Sequence, residues 1–335
     1  MRVVVIGATG HIGSYLVPDL VRAGHDVVAI SRGTREPYHD DTAWQRVERV
    51  TADRDAEDRD GSFGRRVADL RADAVVDLVC FTPESATVLV EALRGTGSFL
   101  VHCGTIWVHG PGTTVPVGED DARDAFGDYG TGKAAIERLL LTESRAGGLP
   151  STVLHPGHIS GPGWDVINPA GNLDPDVWRR LAAGEEVLLP HLGLETLHHV
   201  HAADVAQAFA LALAHPDRAV GESFHVVSPA ALTLRGYAEA AASWFGQRPR
   251  LTFVPWEEFA EHSGPEHAGA TWEHIARSPS ASIDRARARL GYAPAYTSLQ
   301  TTREAVAWLA AQQRFEIAPE ADRSLQTFDT SRAVQ

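Results

Sequence analysis

The order of apolar and polar residues along the chain predicts buried strands that alternate with amphipathic helices. Arg2–Ile6 is an apolar, β-branched run, typical of a strand buried in a parallel sheet. Apolar residues then recur at helical spacing, at Ile12, Leu16, Val17 and Leu20. Further strands are predicted at 26–30, 49–52, 74–80, 98–103 and 221–227, and further helices at 61–71, 84–94 and 204–214. This alternation predicts an α/β fold with a doubly wound parallel sheet.

Three glycines follow the first predicted strand at the spacing G-x-x-G-x-x-G. A strand, a glycine turn and a helix in this order are the context in which such a motif binds a dinucleotide. Free N–H groups at the helix N-terminus and the positive end of the helix dipole then face the pyrophosphate. The alternative is an ordinary turn that uses its glycines for geometry alone. We interpret the turn as part of a Rossmann-type domain, with cofactor contacts at Gly7, Thr9, Gly10, His11, Ile12 and Gly13.

The residues after the second strand bear on the choice of cofactor. An acidic residue at that point would bind the ribose hydroxyls of NAD. Here the chain has Ser31 and Arg32 instead, with Arg35 close by. Because arginine pairs with phosphate, we favour NADP over NAD, the alternative being a solvated loop arginine. After the third strand, Asp53 and Arg54 are predicted at the adenine, although a loop charge is an equal interpretation of Asp53.

Chemistry is predicted beyond the fourth and fifth strands, because open α/β sheets bind ligands at the carboxyl ends of their strands. Phe81 follows the fourth strand, near the expected nicotinamide ribose, and Thr105 follows the fifth. Tyr129 and Lys133 are four residues apart and so share one helix face. A lysine ammonium beside the phenol would lower its pKa and make Tyr129 a usable acid or base. The alternative is a half-buried aromatic residue with a solvated lysine.

These segments resemble the extended branch of the short-chain dehydrogenase/reductase family, which includes nucleotide-sugar epimerases and dehydratases. Two later segments strengthen the resemblance: His155–Gly163, which is similar to the segment that follows the sixth strand in the family, and His199–Ala206. The resemblance implies that Thr105 hydrogen-bonds the reacting oxygen, that Tyr129 passes the proton, and that Lys133 holds the nicotinamide ribose. It also implies hydride transfer between the nicotinamide and a secondary alcohol or ketone, and a homodimer formed through the helix of Tyr129 and its neighbour. Three further cofactor contacts are carried over: His155, Pro156 and His158.

Departures from the family pattern narrow the range of functions predicted for this chain. The sugar dehydratases of the family have Asp-Glu after the threonine, whereas Ile106 and Trp107 stand here, so a dehydratase is not expected. His155 replaces an arginine of the family pattern and is interpreted as structural. His158 stands where many members bind substrate through an asparagine, although a satisfied histidine at the sheet edge is an alternative. Predicted substrate contacts are Thr105, Trp107, His158 and Asn172, and the alternative for Trp107 is packing.

Composition excludes other classes of partner. A formal net charge of -14 opposes nucleic acid and anionic membranes. The sequence has no run of about 18 apolar residues, so no membrane span is expected. Its N-terminus leads straight into the first predicted strand, without a cationic region followed by a cleavage site, so no signal peptide is expected. The two cysteines, Cys80 and Cys103, fall in predicted strands, so a reduced, cytoplasmic protein without a disulfide is expected. His198, His199 and His201 alternate on an extended segment, so no metal site is predicted.

The second half of the chain is predicted to supply the substrate site. We place a dinucleotide-binding domain at 1–160 and a smaller, mainly substrate-binding domain at 161–335, with about 195–230 returning to the first sheet. Residues 312–335 are polar and weakly periodic, which predicts a loosely packed tail. Four arginines of this half, interpreted as surface charges, are alternatively diphosphate ligands: Arg179, Arg180, Arg248 and Arg250.

Three functions are consistent with these residues. The first is an NAD(P)-dependent oxidoreductase that interconverts a ketone and an alcohol of a sugar or specialised metabolite. The second is a nucleotide-sugar epimerase that retains NAD. The third is a non-catalytic dinucleotide sensor or an RNA-binding relative, which Thr105, Tyr129 and Lys133 argue against.

Overall fold

The computed structural model describes residues 1–327 and places a seven-stranded parallel sheet at the centre of the protein. The strands of this part of the chain are β1 (Arg2–Ile6), β2 (Asp26–Ser31), β3 (Glu48–Thr51), β4 (Ala74–Asp77), β5 (Phe99–Cys103), β6 (Ser151–Pro156), β7 (His158–Ser160), β8 (Glu186–Pro190), β9 (Thr196–Leu197), β10 (His199–His201), β11 (Ser223–Val226), β12 (Leu232–Thr233) and β13 (Arg250–Val254).

The α-helices of the same residues connect and cover these strands. They are α1 (His11–Arg22), α2 (Arg54–Asp60), α3 (Phe63–Asp69), α4 (Pro83–Leu93), α5 (Gly127–Arg145), α6 (Pro175–Ala183), α7 (Ala202–Ala214), α8 (Pro216–Ala219), α9 (Leu234–Trp244), α10 (Trp256–Ile275), α11 (Asp284–Leu290), α12 (Ser298–Ala311) and α13 (Pro319–Thr327). Short 3₁₀ helices span Thr42–Arg46 and Ile106–His109. No helix among residues 1–327 is long and apolar enough to cross a membrane.

The strand order in the central sheet is β11-β6-β5-β4-β1-β2-β3, which confirms the predicted doubly wound α/β fold. The chain runs outward from β1 to β3 and then returns to add β4 on the other side of β1. The carboxyl ends of β1 and β4 therefore flank the point where the strand order reverses. Open α/β sheets bind their ligands in the crevice at this point.

Both faces of the central sheet are buried, as expected for parallel strands covered by helices. Val3 and Val5 pack on one face in a core that includes residues of α1 and α7. Val4 and Ile6 pack on the other face with residues of α3, α4 and α5. This explains why β1 is continuously apolar rather than alternating.

The region after β6 has a hydrophobic core of its own, built from α6, α9, α12, α13 and the paired strands β8 and β13. The chain also returns from this region to the central sheet, because β11 pairs with β6 in parallel and α7 packs against α1. The division at residue 160 and the substrate-binding role of the second part remain predictions.

Two predictions about elements need correction. The fourth strand ends at Asp77 rather than at residue 80, because the Asp77 side chain turns to the Arg54 guanidinium and accepts from the N–H of Val79. Residues 312–327 are not a loose tail. Phe315 and two residues of α13, Ala321 and Leu325, are buried in the second core. Ala321 and Leu325 are four residues apart and so lie on one face of α13. Two apolar residues are too few to be recognised as a helical pattern in a polar segment. Residues 328–335 of the predicted tail lie outside the described residues.

Candidate active site

The glycine turn after β1 brings the first turn of α1 close to the backbone of Ala8. Gly7 has a φ of 84°, in the left-handed region that favours glycine. A Cβ at Gly13 would lie 2.2 Å from the carbonyl oxygen of Ala8, so only glycine lets α1 start this close to the turn. α1 begins at His11 and has no acidic residue in its first turn. Its free N–H groups are therefore available to an anion such as a pyrophosphate.

A continuous cleft runs along this turn and consists of two adjoining cavities. The first, of about 380 Å³, reaches the adenosine side, and the second, of about 270 Å³, reaches the helix of Tyr129. Both share the lining residues Gly7, Gly10, Val79, Phe81 and Trp164. Predicted cofactor residues that line one or both cavities are Gly7, Thr9, Gly10, His11, Ile12, Ser31, Arg32, Asp53, Arg54, Phe81, Lys133 and Pro156. His155 and His158 do not line them, and Gly13 acts through close packing.

The adenosine end of the cleft carries exposed cations. Ser31, Arg32 and Arg35 line it at the end of β2, and the carboxylates that line it, Asp53 and Asp55, belong to the start of α2. Asp53 caps α2 by accepting from the N–H of Ala56 at 3.1 Å. A ligand phosphate at this end would meet positive charge, because both arginines are exposed.

The prediction that Arg54 serves the adenine needs qualification, because its guanidinium lies in a buried ion pair. Nη1 donates to Asp77 Oδ1 at 2.7 Å, and Nε donates to Ser85 Oγ at 2.8 Å. Burial alone would lower the pKa of Arg54, but Asp77 raises it above the usual value. The Arg54 side chain therefore joins α2 to the end of β4 and keeps its charge.

At the other end of the cleft, Thr105, Tyr129 and Lys133 line the same cavity. Thr105 starts the 3₁₀ helix Ile106–His109, and its Oγ1 accepts from the N–H of Trp107 at 3.3 Å. The same hydroxyl also interacts with the Tyr129 phenol, whose pKa it lowers. Lys133 Nζ lies 5.9 Å from the centre of the Tyr129 ring. The structure therefore brings together the three residues that the sequence assigns to chemistry.

The predicted effect of Lys133 on Tyr129 is wrong for this arrangement. Lys133 Nζ donates to the carbonyl oxygens of Cys80 at 2.8 Å and Cys103 at 2.6 Å, just beyond β4 and at the end of β5. Desolvation of the hydroxyl raises the pKa of Tyr129 to about 12, although the ring keeps 42% of its surface exposed, and the Thr105 hydroxyl lowers it only in part. Burial lowers the pKa of Lys133. Tyr129 is therefore a protonated phenol at neutral pH.

Trp107 forms a wall beside Tyr129. The two rings meet edge to face, with centres 5.7 Å apart. The Arg277 guanidinium, itself 1% exposed, lies 3.9 Å from the Trp107 ring centre and 3.7 Å from that of Phe126. This stack fixes the orientation of the indole. Arg277 had no recognisable signal in the sequence, because Trp107 and Phe126, the aromatic rings it stacks on, are more than a hundred residues away.

The predicted substrate residues His158 and Asn172 lie outside the cleft lining. His158 packs against Trp107 and His274, both of its ring nitrogens lack a partner within residues 1–327, and burial holds its pKa well below the usual value. Asn172 is fully engaged: Oδ1 accepts from Asn168 at 2.7 Å, and Nδ2 donates to Thr271 at 3.0 Å. It lines a separate cavity of about 190 Å³. Its amide thus joins the loop before α6 to α10, and a substrate contact at Asn172 stays a prediction.

The histidine cluster of β10 and the residue before it diverges in space, as its alternation predicts. His198 bonds the Ser228 carbonyl, His199 faces Tyr237, and His201 stacks on Tyr296 with ring centres 3.9 Å apart. Within residues 1–327, a different group has the spacing to share a metal ion: Asp77, Cys80 and His102. The Arg54 guanidinium already occupies the Asp77 carboxylate, which disfavours a cation there.

Sequence reasoning missed Glu137, which is buried beneath the site and binds His155 Nε2 at 3.0 Å. Its spacing was an available signal, because it lies four residues after Lys133 and eight after Tyr129 on one face of α5. Trp164 was likewise not predicted to line the cleft. It stacks on His11 with ring centres 5.4 Å apart, at the mouth of the cleft.

Comparisons with known proteins agree with this geometry. A profile described as the NAD dependent epimerase/dehydratase family matches residues 3–226. The 2′-dehydrokanamycin reductase of Streptomyces kanamyceticus is 31% identical over 263 residues, covering 78% of this chain and 71% of that protein. The chloroplast stem-loop binding protein of 41 kDa b of Arabidopsis thaliana is 25% identical, covering 77% and 67%.

Among solved structures, the fold matches that of dTDP-glucose 4,6-dehydratase from Bacillus anthracis str. Ames in complex with NAD. The TM-score is 0.72 at 18% identity, over 94% of this chain and 98% of that one. The Rossmann-type fold and the resemblance inferred from the motifs are thereby confirmed. The chain belongs to the NAD-dependent epimerase/dehydratase family.

Proposed function

We propose that the protein is an NADPH-dependent reductase of a ketone on a sugar ring. The observation that carries this proposal is the meeting of Thr105, Tyr129 and Lys133 in the cleft that the glycine turn opens. The nicotinamide, when bound, supplies the hydride. The chain's own residues then bind the ketone oxygen, deliver a proton and orient the cofactor.

The protonation state of Tyr129 favours reduction. A ketone that accepts a hydride becomes an alkoxide, which needs a proton. Because the pKa of Tyr129 is raised to about 12, its phenol carries that proton at neutral pH. The Thr105 hydroxyl donates to the same oxygen, since its own oxygen already accepts from Trp107. Lys133 holds the nicotinamide ribose while its ammonium is anchored on the carbonyls of Cys80 and Cys103.

The preference for NADP rests on the adenosine end of the cleft. Arg32 and Arg35 stand where an acidic residue would bind the ribose hydroxyls of NAD. A 2′-phosphate pairs with a guanidinium through charge-assisted hydrogen bonds. Asp53 is placed to accept from the adenine amino group.

The substrate class follows from charge and from the relative named for 2′-dehydrokanamycin. That name describes a ketone of an aminoglycoside, and amino sugars are cations at neutral pH. A net charge of -14 attracts such a substrate. The four arginines considered for a diphosphate lie outside both cavities of the cleft, and Arg179 is paired with Asp176 and Glu185. We therefore favour a sugar ketone without a nucleotide.

Two other activities are less well supported. A dehydratase needs an acid or base next to the catalytic threonine, whereas Ile106 is buried and Trp107 is locked by Arg277. An epimerase remains the alternative within the family. It would oxidise a sugar carbon and return the hydride, so it would retain NAD through turnover. The RNA-binding alternative is opposed by the acidic net charge.

The test starts with the small molecules that the purified protein releases on denaturation, identified by mass spectrometry. Titrations with NADPH and NADH follow, and then an assay of NADPH oxidation with 2′-dehydrokanamycin. A reductase releases little cofactor, binds NADPH at least about tenfold more tightly than NADH through a charge-assisted contact, and oxidises NADPH when the ketone is added. Stoichiometric bound NAD identifies the epimerase. Failure to bind either dinucleotide contradicts both.

We also propose a homodimer formed through α4 and α5. Light scattering of the purified protein should give twice the chain mass of 36.1 kDa, and a monomer mass contradicts this proposal.

A further inference from the structure

A buried carboxylate lies beneath the candidate catalytic residues. Glu137 is 4% exposed and shares a face of α5 with Tyr129 and Lys133. Its Oε1 and Oε2 each accept from Arg123 at 2.8 Å, and Oε1 also accepts from His155 Nε2 at 3.0 Å. Burial alone would raise the pKa of Glu137, but its two basic partners hold it well below the usual range. Glu137 is therefore a charged carboxylate in the protein interior.

His155 connects this carboxylate to Thr105. The ring is fully buried on β6, and the backbone N–H of Thr105 donates to its Nδ1 at 3.0 Å. A backbone N–H can only donate, so Nδ1 must hold a lone pair. Nε2 then carries the proton and donates it to Glu137. Both neighbours thus require the same tautomer of the imidazole.

The His155 ring also packs closely against the backbone of Gly104. A Cβ at Gly104 would lie 2.4 Å from His155 Nδ1, so the ring packs directly against the backbone that precedes Thr105. Any larger residue at Gly104 would push the ring away from the Thr105 N–H. The imidazole is held by contact on one side and by hydrogen bonds at both nitrogens.

We infer that His155 and Glu137 are positioning residues that tie the backbone of Thr105 to the helix of Tyr129 and Lys133. The chain of contacts runs from the Thr105 N–H through the His155 imidazole to Glu137, which lies on the face of α5 that also carries Tyr129 and Lys133. It fixes the distance between the hydroxyl that binds the substrate oxygen and the phenol that donates the proton. The inference rests on the proposed function for the roles of Thr105 and Tyr129.

The first test needs no substrate. Nitrogen-15 NMR of histidine-labelled protein reports which ring nitrogen of His155 carries the proton, with His155→Asn used to assign the signal. We expect the Nε2–H tautomer near neutral pH. We also expect Glu137→Gln to speed hydrogen exchange of the Thr105 amide by about tenfold or more, because a neutral amide accepts more weakly than a carboxylate from the Nε2–H and holds the tautomer less firmly. An Nδ1–H tautomer, or unchanged exchange, overturns the inference.

The second test separates positioning from a purely structural role. Glu143→Gln is the matched control, since Glu143 lies on the same helix but pairs with Arg94 at the surface. With NADPH and 2′-dehydrokanamycin, Glu137→Gln should lower kcat by about tenfold to a hundredfold and leave the KM for NADPH within about twofold, because geometry and not cofactor binding is lost. Glu143→Gln should keep kcat. Equal kcat values in the two variants overturn the inference.

A second pair of variants covers the case in which Glu137→Gln does not fold. His155→Asn keeps an oxygen acceptor at the place of Nδ1 and loses only the link to Glu137, whereas His155→Ala loses both. At equal Tm, the asparagine variant should retain at least about fivefold more kcat than the alanine variant, and equal kcat values contradict the inference. If the wild-type protein does not reduce the ketone, the proposed substrate fails, while the NMR result still decides the positioning role.

Discussion

The two ends of the dinucleotide cleft hold their charges in opposite ways. At the adenosine end, Arg32 and Arg35 are exposed and project from a loop. At the catalytic end, Lys133 and Glu137 are each less than 5% exposed and hydrogen-bonded, and the neutral ring of His155 lies buried between Glu137 and Thr105. Exposed charges select a ligand through attraction that salt weakens, whereas buried ones fix geometry. The buried charges of the catalytic end, like that of Arg54 in its ion pair with Asp77, are therefore less tolerant of substitution than the exposed Arg32 and Arg35.

The largest expected effect is at the catalytic end. Tyr129→Phe removes the proton donor and keeps the ring that packs against Trp107. We expect turnover to fall by about 10²- to 10⁴-fold, the range for losing a general acid, with NADPH binding nearly unchanged. Stopped-flow NADPH oxidation and a fluorescence titration measure the two quantities. A variant that keeps its turnover would show that Tyr129 is not the proton donor, and a sensor protein would be indifferent to the change.

An intermediate effect is expected at the adenosine end. Arg32→Ala should weaken NADPH binding by about tenfold, because one exposed charge-assisted contact to the 2′-phosphate is lost, and NADH binding should stay within about twofold. Arg59→Ala, an exposed arginine of α2 outside the cleft lining, is the control. Added salt should weaken NADPH binding to the wild-type protein more than to Arg32→Ala. Equal losses for both dinucleotides would contradict the preference for NADP.

The smallest effect concerns stability in acid. The pKa of Glu137 is depressed in the folded protein below its value of about 4.3 in an unfolded chain. Its contribution to the free energy of unfolding is therefore present above about pH 4.3 and is lost as the pH falls toward the folded value. Denaturant titrations from about pH 6 to about pH 3 should show a steeper loss for the wild type than for Glu137→Gln. Parallel curves would show that Glu137 is not the group that titrates.

Local patterns in the sequence were sufficient for most of the fold. The apolar run of β1, the three glycines and the four-residue spacing of Tyr129 and Lys133 are each contained within one element. The direction of the Lys133 ammonium was not predictable, because its acceptors, Cys80 and Cys103, lie on loops and strands far along the chain. The four-residue spacing predicts the Lys133 ammonium beside the Tyr129 phenol, whereas in the structure that ammonium donates to the carbonyl oxygens of Cys80 and Cys103.

The difference between patterns within one element and contacts between distant parts of the chain also explains the other errors and omissions. The contact between His155 and Thr105 joins residues fifty positions apart. The polar stretch around Asn172 predicts a ligand site as readily as a hydrogen-bonded turn, and the contact with Thr271 is visible only in the structure. α13 was missed because a short helix with two buried residues has too weak a periodicity to separate it from a solvated segment.

The return of the chain to β11 limits how this protein can be recombined with its relatives. A fragment that stops after β6 would leave that strand as the edge of the sheet, with its unpaired N–H and carbonyl groups and its fully buried side chains in solvent. Such a fragment would be expected to aggregate. Grafting a new specificity region therefore requires three crossover points, one after β7, one before β10 and one after β11, because β8 pairs with β13 and the second core uses segments from both sides of β11.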